Sequence, residues 1–138
     1  MNNLISVVVT CYNHEKYIEQ CLRSVFNQTY TNIELIVLDD GSTDSSTQII
    51  QEVLKDSPFE TRFETHENLG VVNNRNLGLE LIRGDYLLFV DSDNYLDADY
   101  VEQLYSKLTE TNAELTYTNK ELVKTNSNLV SSINVKLD

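Results

Sequence analysis

The sequence has no tryptophan, one proline, four glycines and two cysteines, and each scarcity excludes a class of protein. So little proline and glycine excludes low-complexity and disordered chains. Cys11 and Cys21 lack metal-site spacing, and Cys21 falls on the apolar face of a helical pattern, so both read as reduced thiols without a disulfide. Positive charge is also short. Ten Lys and Arg face 22 Asp and Glu, a formal net charge of −12, which argues against duplex nucleic acid as a partner. No apolar run approaches the ~20 residues of a membrane-spanning helix. The start, MNNLISVVVT, has no basic end and only a short valine-rich run, so it does not read as a signal peptide. A cytoplasmic location is the default expectation.

What is present is ordinary for one soluble domain: 138 residues, 41% hydrophobic and 23% charged. Residues 4–10 (LISVVVT) form a β-branched apolar run that reads as a buried strand. From residue 14 to 28 the period changes, and Tyr17, Ile18, Cys21, Leu22, Val25 and Phe26 recur at helical spacing. Residues 32–39 read as a second strand, with Ile49, Ile50, Val53 and Leu54 as the inner face of the next helix before Pro58. Residues 59–67 alternate like an edge strand. Residues 68–83 read as a helix with Val72, Leu79 and Ile82 inward, ended by Arg83 and a left-handed Gly84. A fourth strand at 85–90, a helix capped by Asp97, and a short strand at 113–118 complete the pattern. Strand–helix alternation predicts an α/β fold: a three-layer α/β/α sandwich around a Rossmann-like, mostly parallel sheet. Residues 1–118 would form the domain and residues 119–138 a polar peripheral tail, irregular or hairpin.

In open parallel sheets ligands bind beyond the carboxyl ends of the strands, and the unusual polar residues gather there. The expected strands end in Thr10-Cys11-Tyr12-Asn13, in Asp39-Asp40-Gly41-Ser42, near His66, and in Asp91-Ser92-Asp93-Asn94. Two carboxylates at ~4 Å repel by roughly 4 kcal/mol at an effective dielectric near 20. A proton, a cationic side chain or a metal relieves that repulsion, and oxygen ligands suit Mg2+ or Mn2+. Asp93, in the more open turn, is the better direct ligand; Asp91 would bind through water or orient a nucleotide sugar. Neighbours in a strand point to opposite faces, so one of Asp39 and Asp40 faces the cleft while the other supports the turn. Asp40 is favoured for a base, and Tyr12 offers a flat surface to pack on it. His14 and His66 read first as surface histidines.

With these residues in view, SVVVTCYNHEKYIEQCLRSVFNQTYTNIELIVLDDGSTDSS and ENLGVVNNRNLGLELIRGDYLLFVDSDNYLDADYVEQL resemble family 2 glycosyltransferases of the GT-A fold across residues 4–118. Each motif alone is weak, but their order and spacing are specific. The resemblance implies transfer of a sugar, with inversion, from a nucleotide-diphosphate donor (a UDP-sugar favoured) to a saccharide, lipid-linked or protein acceptor, assisted by Mn2+ or Mg2+. It implies that Thr10 and Tyr12 line the base pocket, that Asp40 contacts uracil, that Arg75 lies near the nucleotide, and that Asp91 and Asp93 form a DxD motif. Candidate nucleotide-sugar contacts are thus Thr10, Tyr12, Asn13, Asp39, Asp40, Arg75, Asp91 and Ser92; candidate metal ligands are Asp91 and Asp93. The family's general base is expected beyond Asp138, so no catalytic residue is assigned, and the chain reads as the donor-binding part of a longer enzyme. Attachment to the inner face of a membrane would come through further parts.

Three other readings compete. An EF-hand spacing at Asp91, Asp93, Asp99 and Glu102 fails at Tyr95 and Leu96, where a ligand and a glycine are needed. A Mg2+-dependent phosphotransfer domain would use an aspartate nucleophile on an early strand and a lysine at a late strand end, whereas the first strand here ends in Thr10-Cys11-Tyr12-Asn13 and the later strand ends offer no lysine before Lys120. A non-catalytic nucleotide-sugar-binding module would keep the same pocket.

Overall fold

A computed structural model describes residues 3–114, 116, 120–123 and 129–133, the last two segments by their backbone. Strands β1 (Ile5–Cys11), β2 (Ile33–Asp39), β3 (Glu60–Thr65) and β4 (Tyr86–Asp91) alternate with helices α1 (Ile18–Phe26), α2 (Ser46–Val53) and α3 (Val71–Leu81). The strands pair in parallel in the order β3-β2-β1-β4. This is the α/β, Rossmann-like sheet expected from the alternating pattern.

The order has a direct consequence. The chain moves outward from β1 to β2 to β3, then crosses back to lay β4 on the other side of β1. Crossovers between parallel strands are right-handed, so reversing the direction of travel puts α3 on the face opposite α1 and α2. The reversal makes the carboxyl ends of β1 and β4 a topological switch point, where open α/β sheets form their ligand crevice.

Both faces of the central strands are covered, which is why β1 and β2 read as mostly apolar runs. Val8, Ile36 and Leu38 are buried on one face against Leu77, Leu81, Ile82, Leu87 and Phe89. Val7, Val9, Leu35 and Val37 point the other way and are equally buried. β3 alternates exposed and half-buried residues, as a strand at the sheet's rim should.

The inner face of α3 differs from the expectation. Val72 is 71% and Leu79 48% exposed; Leu77 and Leu81 pack inward instead, with Asn74 and Gly78 buried beside them. That stripe runs at i, i+3, i+4 and i+7, but two of its four members are polar or lack a side chain, so an apolar count misses it. Gly78 brings the helix onto the sheet: a Cβ there would lie 2.9 Å from Val8 Cγ1. Ile82 is inward, as expected. Arg83 and Gly84 lie beyond the helix, and Gly84 is not left-handed. It is required by close approach, since a Cβ would lie 2.6 Å from Ser6 Oγ.

At the amino edge, the Glu34 carboxylate is 4% exposed. It accepts hydrogen bonds from the Ser6 hydroxyl, from Arg83 N (2.6 Å) and from Arg83 Nε (2.9 Å). Burial pushes its pKa up, but the Ser6 hydroxyl, the Arg83 N–H and the guanidinium together outweigh this and leave it below its ordinary value of 4.5. A depressed carboxylate stabilises the fold above its unfolded pKa and stops doing so as pH falls through its folded one. Glu34→Gln should therefore cost about 2 kcal/mol at pH 7, the range for hydrogen bonds to a charged group. Urea melts at pH 7 and pH 3 should show that difference shrinking in acid.

The chain divides into two compact units, Met1–Val101 and Glu102–Asp138. Helix α4 (Tyr100–Thr111) starts three residues after the expected cap at Asp97, whose carbonyl accepts the Tyr100 N–H (3.1 Å). Strands β5 (Lys120–Val123) and β6 (Leu129–Ile133) pair antiparallel within the region expected as a tail. Of the strand expected at 113–118, Ala113, Glu114 and Thr116 are not in a strand, and the other residues lie outside those described. Among the described residues no helix is long and apolar enough to cross a membrane.

Candidate functional site

Register brings the predicted residues to one edge. Cys11 at the end of β1 pairs with Asp39 of β2, and Thr10 with Asp91 of β4. The ends of β2 and β4 are thus two strand spacings apart, about 10 Å, with β1 between them.

The adjacent acids Asp39 and Asp40 have different tasks. Asp39 is fully buried. It accepts from the Ser42 hydroxyl and backbone N–H, from Thr47 Oγ1 (2.8 Å) and from Thr65 Oγ1 (3.0 Å). It therefore fastens the turn and β3. Asp40, 4% exposed, accepts from Leu69 N (2.7 Å) on one oxygen and Gly70 N (3.1 Å) on the other. Its backbone carbonyl takes Asn68 Nδ2 (3.0 Å). Asp40 thus latches the loop in front of α3. Each carboxylate oxygen has a second acceptor position, which is what a further donor would use. Gly41 permits this approach, with φ +75° and the space for a Cβ taken by Asn68 N at 2.7 Å.

Asn13 is also engaged by the protein. In left-handed backbone (φ 52°), its side-chain oxygen accepts from Thr43 N (2.8 Å) and Asp44 N (3.3 Å). It clips the loop after β1 to the loop after β2. Tyr12 beside it is 47% exposed, a flat aromatic face at the strand end.

Around Asp91 the groups are ionic. Arg75, from the exposed side of α3, donates to Asp91 Oδ1 (3.1 Å), and the Thr10 hydroxyl reaches the same oxygen (3.4 Å). The Arg75 guanidinium lies 5.9 Å from the Phe89 ring centre. Here the acid is relieved by a cationic side chain. Ser92 points the other way and is fully buried; its hydroxyl hydrogen-bonds His14 Nδ1 (2.5 Å). Asp93 is exposed, and its carboxylate makes no hydrogen bond among the described residues.

Of the histidines, His66 bridges elements. Its Nδ1 meets the Glu67 carbonyl (2.7 Å) and lies 3.6 Å from Asp40, and its Nε2 meets Asn74 Oδ1 (2.9 Å). Asn74 and His14 were not expected in the site's framework. An asparagine breaking the apolar stripe of α3 was the one signal for Asn74; nothing local marked His14.

The edge can be tested for the metal that the acidic pair suggests. Among the described residues no group of three or more His, Cys, Asp or Glu side chains could hold an ion. Burial raises both thiols above their ordinary range, Cys21 to about 12. Among the described residues the edge lacks the four protein ligands of a closed zinc site. It fits Mg2+ or Mn2+, which takes one or two carboxylates and fills its remaining positions with water and phosphate oxygens.

These features define an α/β domain with acidic strand ends at its topological switch point. Residues 6–132 match the model of glycosyl transferase family 2, and the chain belongs to that family. It is 42% identical over 114 residues to the glycosyltransferase GlyA of Streptococcus pneumoniae, covering 83% of this chain and 16% of GlyA. It is 44% identical over 101 residues to a putative glycosyltransferase, EpsH, of Bacillus subtilis, covering 72% of this chain and 29% of EpsH. Among solved structures, S. aureus TarS 1–349 in complex with UDP-GlcNAc superposes with a TM-score of 0.71 at 30% identity, over 87% of this chain and 33% of that one. The chain thus spans a third or less of these three proteins.

Proposed function

We propose that this chain is the donor-binding part of a glycosyltransferase: it holds a nucleoside-diphosphate sugar, UDP-linked by preference, at the β1–β4 switch point. The observation that carries this reading is the pairing of Thr10 with Asp91 across that point, with the unengaged Asp93 two residues on. The UDP and UDP-GlcNAc complexes of TarS support a uridine donor. Tyr12 packs on the base, and the second acceptor positions of Asp40 take its N–H. Asp93 and Asp91 would hold Mn2+ or Mg2+. When bound, the ion neutralises charge developing on the leaving diphosphate. The acceptor would be a saccharide, a lipid-linked sugar or a protein, and transfer would invert the anomeric carbon. The base that deprotonates the acceptor would come from other parts of a longer protein, so this chain alone binds donor but turns over little or none. Calorimetric titration of UDP into the chain with and without MnCl2 tests the reading: metal-dependent heat is expected, and its absence would count against it.

Arg75 has two partners to choose between. Its pair with Asp91 is exposed, 44% on each side, so its strength is at most about 1 kcal/mol. A charge-assisted bond from the same guanidinium to a diphosphate contributes about 1.5–3 kcal/mol. The second exceeds the first, so the donor takes Arg75 from Asp91. Arg75→Met should weaken UDP binding by on the order of 10-fold, yet tighten Mn2+ binding in the absence of nucleotide by a few fold. Calorimetry for UDP and electron paramagnetic resonance of free Mn2+ read the two opposite changes.

A further inference from the structure

The turn that carries Asp91 and Asp93 is anchored by its middle residue. Ser92 N–H donates to the Thr10 carbonyl (3.1 Å), Asn94 N–H to the Asp91 carbonyl (3.0 Å), and the Cys21 thiol lies 3.7 Å from that carbonyl. These contacts fix the backbone around Asp91. Beyond the end of β4, the buried Ser92 hydroxyl lies against His14 Nδ1 (2.5 Å), and three residues after Asp93 the Leu96 N–H donates to Ser24 Oγ (3.0 Å). His14 is itself held firmly. Its backbone N–H donates to Ser46 Oγ (3.0 Å), and its carbonyl accepts Tyr17 N (3.0 Å) and Ile18 N (2.9 Å) at the start of α1. Its ring stands edge-on to Tyr17, with centroids 6.0 Å apart and planes at 80°.

We propose that His14 is a positioning residue for the acidic turn: through Ser92 it sets the direction of Asp93, and so the affinity of the turn for a divalent cation. The proposal rests on the reading that this turn meets a cation beside the diphosphate. His14 touches neither ligand. Ser92 and Asp93 are the two central residues of the turn that Asn94 N–H closes on the Asp91 carbonyl, Ser92 fully buried and Asp93 exposed. Fixing the Ser92 side chain inward therefore fixes the turn's orientation and with it the direction of Asp93. Loss of the His14 bond leaves Asp91 on the sheet's hydrogen-bond ladder and loosens that orientation. A ligand's hydrogen-bonded support is commonly worth 10–100-fold in metal affinity.

The test compares wild type, His14→Leu and His14→Asn by calorimetry with UDP, with and without MnCl2, and by Mn2+ paramagnetic resonance in saturating UDP. Leucine fills the ring's space without a hydrogen bond; asparagine restores a polar atom near the Nδ1 position. The expected result is a metal-free UDP affinity within about twofold of wild type in both variants. The gain on adding Mn2+ should fall by on the order of 10-fold in His14→Leu and largely return in His14→Asn. An unchanged gain in His14→Leu overturns the proposal, as does an equal loss with and without metal, which is the signature of a loop that has simply collapsed. If His14→Leu does not fold, Ser92→Ala removes the other partner; a wild-type gain there overturns the proposal equally. Absence of any gain in wild type removes the proposed cation site itself, and that outcome is visible before any variant is made.

Discussion

Asp93→Asn should abolish most of the manganese-dependent gain in UDP affinity, by on the order of 100-fold, at the upper end of what a supporting residue alone controls. That fold-change corresponds to about 2.7 kcal/mol. Asparagine keeps the size and one oxygen but removes the charge. The folded state should hardly notice, because the Asp93 side chain is exposed and makes no hydrogen bond among the described residues. Asp39→Asn should do the reverse: it leaves a buried turn with donors aimed at an amide and is read in the melting curve. Calorimetry with UDP and MnCl2 beside a thermal melt separates the two. If Asp93→Asn bound metal and UDP like wild type, the acidic pair would be a turn and nothing more.

Gly84→Ala should cost about 3 kcal/mol, the upper range for overpacking. The added carbon would lie 2.6 Å from Ser6 Oγ, 2.8 Å from the Leu4 carbonyl oxygen and 2.8 Å from Ser6 N. Two of these are backbone atoms at the start of β1, one in the strand and one in the residue before it, and the third is the hydroxyl that supports Glu34. Relief requires β1 and β4 to separate where their pairing begins. Gly78→Ala is the informative contrast. Its neighbours are side chains at 2.9, 3.3 and 3.5 Å, and alanine in a helix recovers about 1 kcal/mol over glycine, so its net cost should be much smaller. Chemical denaturation of both variants gives the ranking directly, and equal stabilities would contradict it.

The four parallel strands were legible because β1 and β2 are buried on both faces, so most of their residues are apolar. β3 was legible because a rim strand alternates. The edge at which the polar residues gather was also readable, since strand ends can be located even when strand order cannot. The inner face of α3 could not be read: Asn74 and Gly78 face inward, while Val72 and Leu79 face out, the reverse of what hydrophobicity suggests. The division of labour between Asp39 and Asp40 was only half visible. Alternation says that neighbouring acids differ, but not that one binds three hydroxyls and a backbone N–H while the other latches a loop 29 residues away. The Arg75–Asp91 pair and the His14–Ser92 bond join residues 16 and 78 positions apart. Contacts of that kind exist only once β4 has been laid beside β1, and no local pattern announces them.

A crystal of the chain soaked with UDP and MnCl2, measured at the manganese absorption edge, is the most direct test. The expected result is one anomalous peak between the Asp93 carboxylate and the diphosphate oxygens, with the uracil stacked on Tyr12 and Arg75 drawn off Asp91. A nucleotide bound with its diphosphate away from Asp91 and Asp93, or bound there with no manganese peak, would contradict a cation bridging this acidic turn and the donor.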